Sequence, residues 1–214
     1  MKKGCILCLL ISVISLPLIA QNIIYSNLKE LLTQHGDTTA VLRVEKRSRN
    51  QIVLTGGADY RITAGDDESM CRRLKKRCFA VRDEKGNLYL NCRKLRYKKL
   101  RFGAWYAPAV QLGKNIYFCA MPLGSVIGGN FVEEDDVKLG GNIGDALAAS
   151  SLVTKRVCYE LNGETGKVDF LGKDRTLQLL KNYPELKQAY LKDDSQEAKH
   201  TFKYLLELQN NQKK

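Results

Sequence analysis

The sequence predicts an α+β fold: an antiparallel sheet of hairpins with a short N-terminal helix and a C-terminal helical pair. Three observations carry this. From Cys78 the apolar residues alternate with period two on both sides of the turn 83–87 (DEKGN). Two further pairs of β-rich runs are joined by glycine-containing turns, 105–112 with 115–121 and 156–161 with 167–171. Beyond residue 173 the apolar spacing changes to three and four, the period of a helix.

The chain of 214 residues opens with a segment that reads as an export signal. Lys2 and Lys3 precede residues 5–16 (CILCLLISVISL), which are apolar apart from Ser12 and Ser15 and have the length of a signal-peptide core. A spanning helix would need about 20 such residues. Pro17 breaks the helix and the small Ala20 precedes the polar pair Gln21 and Asn22, so cleavage after Ala20 is expected, with a retained N-terminal anchor as the alternative. Residues 1–20 are then a signal peptide and 21–214 a single α+β domain. Cys5 and Cys8 lie inside the apolar run rather than after it and do not mark a lipid-attachment site. No later segment is long and apolar enough to cross a membrane. The expected location is outside the cytoplasm, in the periplasm, on the outer-membrane surface or in the medium.

In order, 27–34 (NLKELLTQ) places Leu28, Leu31 and Leu32 at helical spacing and predicts a first helix ending near Gly36. Residues 40–45 (AVLRVE) and 51–54 (QIVL) are β-rich and flank a polar stretch, which predicts a hairpin. Asp66, Asp67 and Glu68 stand before a helical pattern that ends in basic residues, the charge order a helix dipole favours, so a helix is expected over 67–76. The hairpin around 83–87 follows, then the pair 105–112 and 115–121, in which Pro108 points to an edge strand or a bulge. Residues 122–142 are rich in glycine, carry the acidic run 133–136 and predict a long loop; 145–152 suggests a short helix. After the third hairpin come helices over 174–183 and from Pro184, with Leu186, Ala189, Tyr190 and Leu191 extending the apolar stripe. A last helix is expected to turn Phe202, Leu205, Leu206 and Leu208 inward, with Asp194 and Glu197 spaced as a capping box.

Chemistry-bearing motifs are scarce. A hydrolase triad needs a base, usually histidine, oriented by a carboxylate. Only His35 and His200 exist, both at positions that read as exposed surface. Residues 124–127 (GSVI) do not form a nucleophile elbow, the glycines 140, 141 and 144 lack the lysine and hydroxyl of a phosphate loop, and the acidic runs lack calcium-loop spacing. No cofactor and no metal are expected. Export would leave five of the seven cysteines, Cys71, Cys78, Cys92, Cys119 and Cys158, as possible disulfide partners. The odd count leaves one unpaired or bonded to another chain, and the connectivity stays open. Cys71 and Cys78 stand seven residues apart, about 10.5 Å along a continuous helix, so they could pair only if the helix ends between them.

The formal net charge of +12 falls to +10 once Lys2 and Lys3 are lost. Basic residues concentrate in 72–77 and again in Arg93, Lys94, Arg96, Lys98, Lys99 and Arg101, interleaved with the aromatic residues Tyr97, Phe102, Trp105 and Tyr106. Cations beside aromatic faces suit acidic or sulfated sugars, lipid phosphates and single-stranded nucleic acid. For an exported chain, anionic envelope glycans or lipid head groups are the natural partners and nucleic acid is not. The residues singled out for anionic-ligand binding are Arg93, Lys94, Arg96, Tyr97, Lys98, Lys99, Arg101 and Trp105. A plain exposed face whose lysines discourage edge pairing is the competing explanation. Function therefore reads as a non-enzymatic binding or envelope-associated protein, with a secreted hydrolase using a carboxylate-based site as the alternative.

The strand NIYFCAM, the hairpin KRVCYELNGETGKVDFLGKDR, the segment LQLLKNYPELKQAYL and the closing FKYLLELQN carry a family likeness over the second half of the chain. In these the sequence resembles the uncharacterised secreted proteins of the Bacteroides group classed as a domain of unknown function. The resemblance implies export from a Gram-negative cell and brings no activity and no site residues with it.

Overall fold

The computed structural model describes residues 21–39, 41–123, 155–193 and 197–212. The expected signal peptide, most of the glycine-rich loop, the suggested helix at 145–152 and Asp194 of the expected capping box lie outside the described residues. In chain order, β1 (Asn22–Tyr25) leads to α1 (Leu28–Leu32), β2 (Asp37–Thr39), β3 (Arg43–Lys46), α2 (Arg49–Thr55), β4 (Tyr60–Thr63) and α3 (Glu68–Lys76). Next come β5 (Ala80–Arg82), β6 (Leu88–Asn91), a 3-10 turn (Cys92–Lys94), β7 (Arg96–Tyr97), β8 (Leu100–Arg101), β9 (Tyr106–Leu112) and β10 (Asn115–Ala120). The remainder is β11 (Val157–Leu161), β12 (Val168–Phe170), α4 (Lys173–Leu179), α5 (Pro184–Lys192) and α6 (Ala198–Gln212).

Ten strands form one antiparallel sheet. Its main path runs β12, β11, β10, β9, β6, β5, β1, β2, while β3 pairs with β4 and β4 meets β9 at Tyr60 opposite Tyr106. β7 and β8 make a separate two-stranded ribbon. Period-two alternation sorts the side chains to two faces. On the first, Tyr25, Ala80, Leu90, Ala107, Ile116, Phe118 and Leu161 are buried under Leu31 of α1 and under Leu95, Tyr97 and Phe102 from the 3-10 turn and the ribbon. Rings dominate here: Phe118 stacks on Tyr159 at 5.5 Å, and Phe102 meets Tyr159 edge-on at 4.8 Å. Such pairs add about 1 kcal/mol each beyond their buried area.

The second face carries two separate covers. Val110, Leu112, Tyr117, Cys119 and Cys158 pack under Leu180, Tyr190, Tyr204, Leu205 and Leu208 of the C-terminal helices. Ile24, Val81, Tyr89 and Tyr106 pack under Ile62 of β4 and Leu74 of α3. The α+β architecture with its N-terminal helix, three hairpins and C-terminal helices is thus the expected one.

Four local expectations fail. Residues 51–54 do not pair with β3 but lie within α2, because Ser48 accepts from the Gln51 backbone and the Gln51 side chain accepts from the Ser48 backbone, closing a capping box. β3 pairs instead with β4, Glu45 opposite Arg61. Pro108 is not at an edge: β9 lies between β6 and β10. The β9–β10 register ends at Ala109 opposite Phe118, one residue short of Pro108, so the missing N–H falls where that ladder has stopped. Leu206 is not turned inward; it is 38 % exposed, while Tyr204 takes the buried place on α6. His200, read as exposed surface, is partly buried, with Nδ1 2.7 Å from Asp193 Oδ2.

Candidate functional site

Trp105 immediately precedes β9 with a backbone φ of 76°, the left-handed region that a bulky residue rarely occupies. Conformations of this kind cost about 1–3 kcal/mol and persist only where the surroundings enforce them. Here they do. The Ala58 N–H donates to Ala104 O and the Cys92 N–H donates to Trp105 O, both at 2.9 Å. Gly57 packs so closely that a Cβ on it would stand 2.4 Å from Ala104 O and 2.9 Å from Trp105 Cδ1.

Two guanidinium groups reach the indole: Arg47 at 5.1 Å and Arg61 at 5.7 Å from the ring centroid. Arg47 is buried and fully engaged, donating to the carbonyls of Gln51, Gly56 and Ala58 and to the Thr55 hydroxyl. Burial lowers its pKa, against the pull of the Asp59 carboxylate. It is therefore a fixed support for the indole, whereas Arg61 is exposed.

Around the half-buried Trp105 lies an open cleft of about 360 Å³, lined by Arg43, Glu45, Arg61, Thr63 and Lys75 among others. The strand register explains the wall: Arg43 opposes Thr63 and Glu45 opposes Arg61, which places all four on one face of the β3–β4 hairpin. α3 contributes Lys75 from its basic last turn. A second, small recess of about 30 Å³ shares Ile62, Lys75 and Trp105 with the cleft and adds Asn91 and Arg93 to its lining. Asn91, almost fully buried, fixes that corner by donating to Leu74 O and Cys78 O while its Oδ1 accepts from the Arg93 backbone. Four exposed cations, Arg43, Arg61, Lys75 and Arg93, and the Glu45 carboxylate thus line the two hollows that share Trp105.

The sequence-predicted binding residues divide. Arg93 and Trp105 meet at this recess. Tyr97 is buried in the first-face core, 5.9 Å from Tyr159, and Lys98 lies over its ring at 5.7 Å. Lys94, Arg96, Lys98, Lys99 and Arg101 are exposed on the 3-10 turn and the ribbon, outside the lining of the Trp105 cleft. Arg43 and Arg61 were not singled out, and Lys75 was marked only as part of the basic run 72–77. For Arg43 a signal is present in the alternation of Arg43 and Glu45, which places both on one face of β3; Arg61 and Lys75 join them only through the fold.

Other titratable groups are accounted for by structure. Glu160 accepts from Arg175, from Tyr117 Oη at 2.9 Å and from Asn115 Nδ2 at 2.6 Å. Burial opposes its ionisation, yet these hydrogen bonds prevail and hold its pKa below the usual glutamate range. Glu164 and Glu197 are likewise shifted down, by Lys114 and Lys199. A glycosidase acid would need the opposite shift. Asp193 receives His200 and Tyr204 Oη, tying the end of α5 to α6. Among the described residues no group of three or more His, Cys, Asp or Glu side chains could hold a metal ion, and no helix is long and apolar enough to cross a membrane.

Cys71, Cys78, Cys92, Cys119 and Cys158 are all free thiols. α3 does end at Lys76, between Cys71 and Cys78, but the two sulfurs have different surroundings. Cys71 Sγ contacts Ala64 N and Gly65 O, and Cys78 Sγ contacts Tyr25 O and Ala80 O.

Residues 23–212 match DUF6563, a family of unknown function. The chain belongs to that family. The match runs from the second residue of β1 to the end of α6, includes every residue of the Trp105 cleft, and so reaches well beyond the second half in which the likeness was legible. None of the curated proteins and none of the solved structures matches the chain.

Proposed function

We propose that this DUF6563 protein is an exported, non-enzymatic binding protein of the cell envelope, and that its Trp105 cleft holds an acidic glycan. The observation that carries the reading is the indole held at a φ of 76° beside Arg61, in a cleft shared with Arg43 and Lys75 and bordered by Arg93. A sugar ring presents an apolar face that an indole covers well, and its carboxylate or sulfate groups are recognised by guanidinium and ammonium donors. Strain retained in a bulky residue at a cleft is a mark of a site. Export rests on Lys2, Lys3, the apolar run 5–16 and Ala20.

The chain contains one tryptophan, so its emission reports this cleft alone. Titration with dextran sulfate at low salt should give a saturable change in emission that weakens several-fold at ~0.3 M salt. Neutral dextran should give none, and Arg61→Glu with Lys75→Glu should abolish the response while leaving the circular dichroism intact. Equal responses to charged and neutral polymer, or an undiminished response in the variant, would overturn the reading. Vesicles of anionic lipid binding in place of the glycan would reassign the cleft to head groups. For export, the mature chain should begin at Gln21 in the intact mass of protein recovered from a Gram-negative host.

A further inference from the structure

Cys119 of β10 and Cys158 of β11 stand directly opposite each other in the sheet. Both are buried, 6 % and 3 % exposed, on the face covered by the C-terminal helices. Each thiol points at the same acceptor, the carbonyl of Ala198 at the start of α6, at 3.7 Å from Cys119 and 3.4 Å from Cys158. Burial first, and the neighbouring Cys158 thiol second, raise the Cys119 pKa well above the ordinary thiol value. Directly opposed residues of an antiparallel pair have Cα atoms about 4.5–5.5 Å apart. That lies inside the about 4.4–6.8 Å range that a disulfide spans.

Among the described residues the other three cysteines have no such cross-strand partner. Cys92 is buried on the opposite face of the sheet, Cys71 lies within α3 with its sulfur at Ala64 N and Gly65 O, and Cys78 follows α3 with its sulfur at Tyr25 O and Ala80 O. We propose that Cys119 and Cys158 form a disulfide that clips β10 to β11 beneath α6 when the chain folds in the presence of an oxidising disulfide. One thiolate attacks a sulfur of that disulfide and releases one thiol. The second thiolate then attacks the mixed disulfide and releases the other. Two electrons pass to the external disulfide, and the two protein protons leave on its two thiols. Because both sulfurs lie under α6, exchange runs before this helix docks or while it is lifted. The bridge closes the chain between residues 119 and 158 into a loop and so restricts the unfolded state. It stands independently of the Trp105 reading, since no residue of that cleft takes part.

The full chain, reduced and denatured, is refolded in a mixture of oxidised and reduced glutathione, alkylated, digested without reduction and examined by mass spectrometry. The expected result is a linked peptide joining Cys119 to Cys158 and a melting temperature several degrees above that of the reduced protein. Cys119→Ala with Cys158→Ala should fold with the circular dichroism of the reduced wild type and lose the difference between oxidised and reduced melting. Cys71→Ala should keep it. Recovery of Cys119 and Cys158 as alkylated thiols after refolding, or a linked peptide joining either of them to another cysteine, would overturn the proposal.

Discussion

Arg156 Nε donates to both carboxylate oxygens of Asp59, at 2.9 and 3.1 Å, across 97 positions of sequence. The pair joins the residue before β11 to the one before β4, and both side chains are largely buried, 15 % and 19 % exposed. Removing one partner of such a pair is costly because a charge stays behind in a poorly solvated place. Asp59→Ala should lower stability by about 3 kcal/mol, read as a lower urea midpoint with an unchanged m-value. Adding Arg156→Met should restore a substantial part of the loss.

Gly57 and Gly56 are neighbours with positive φ, 82° and 63°, but only Gly57 faces a wall. Gly56→Ala meets nothing within 4 Å, but at φ 63° and ψ −168° the backbone lies in a region essentially reserved for glycine, so it should cost the conformational term alone, about 2–3 kcal/mol. Gly57→Ala adds a clash with Ala104 O and the indole, so it should cost more and also shift the tryptophan emission. Equal costs with unchanged emission would show that the Trp105 backbone is not held by this contact.

Glu160 and Tyr117 set opposite pH limits through one hydrogen bond. The folded pKa of Glu160 is depressed, so its contribution is complete above the ordinary glutamate value and is lost as the pH falls through the folded pKa. Tyr117 is raised to about 12, by burial and then by the Glu160 charge. Its contribution is complete below the unfolded pKa, about 10, and is lost as the pH rises towards 12. Urea midpoints across acid pH should fall less steeply in Glu160→Gln, and those above pH 10 less steeply in Tyr117→Phe, than in the wild type.

Ser48→Ala removes the acceptor of the α2 capping box and should cost about 1 kcal/mol. Ser48→Asp, which keeps an acceptor, should recover most of it in the same urea titration.

α2 also shows where the sequence was legible and where it was not. Ile52, Val53 and Leu54 favour a strand, and only the pairing of Ser48 with Gln51, together with Arg47 gathering the carbonyls at the helix end, tips the segment into a helix. The hairpins at β5–β6, β9–β10 and β11–β12 were readable because turn residues and alternation sit within a few positions of one another. β1 was not, since four residues show too little alternation to stand out, its partner β2 comes only after the intervening α1, and its other partner β5 lies far along the chain. The cleft escaped for a related reason. The basic run 93–101 looked like one surface, but a ribbon and a buried tyrosine divert most of it, while Arg43, Arg61 and Lys75 arrive from two strands and a helix. Arg93 and Trp105 were already marked as binding residues, and Lys75 as part of the basic run 72–77.

β9 is the strand on which both covers of the second sheet face depend: it pairs with β6, with β10 and, at Tyr106, with β4. Its Tyr106 belongs to the cluster under α3, and its Val110 and Leu112 to the cluster under α6. A chain severed on either side of β9 therefore leaves one half without the strand that closes its sheet. Fragments made at that point should be recovered folded only when the two pieces are supplied together.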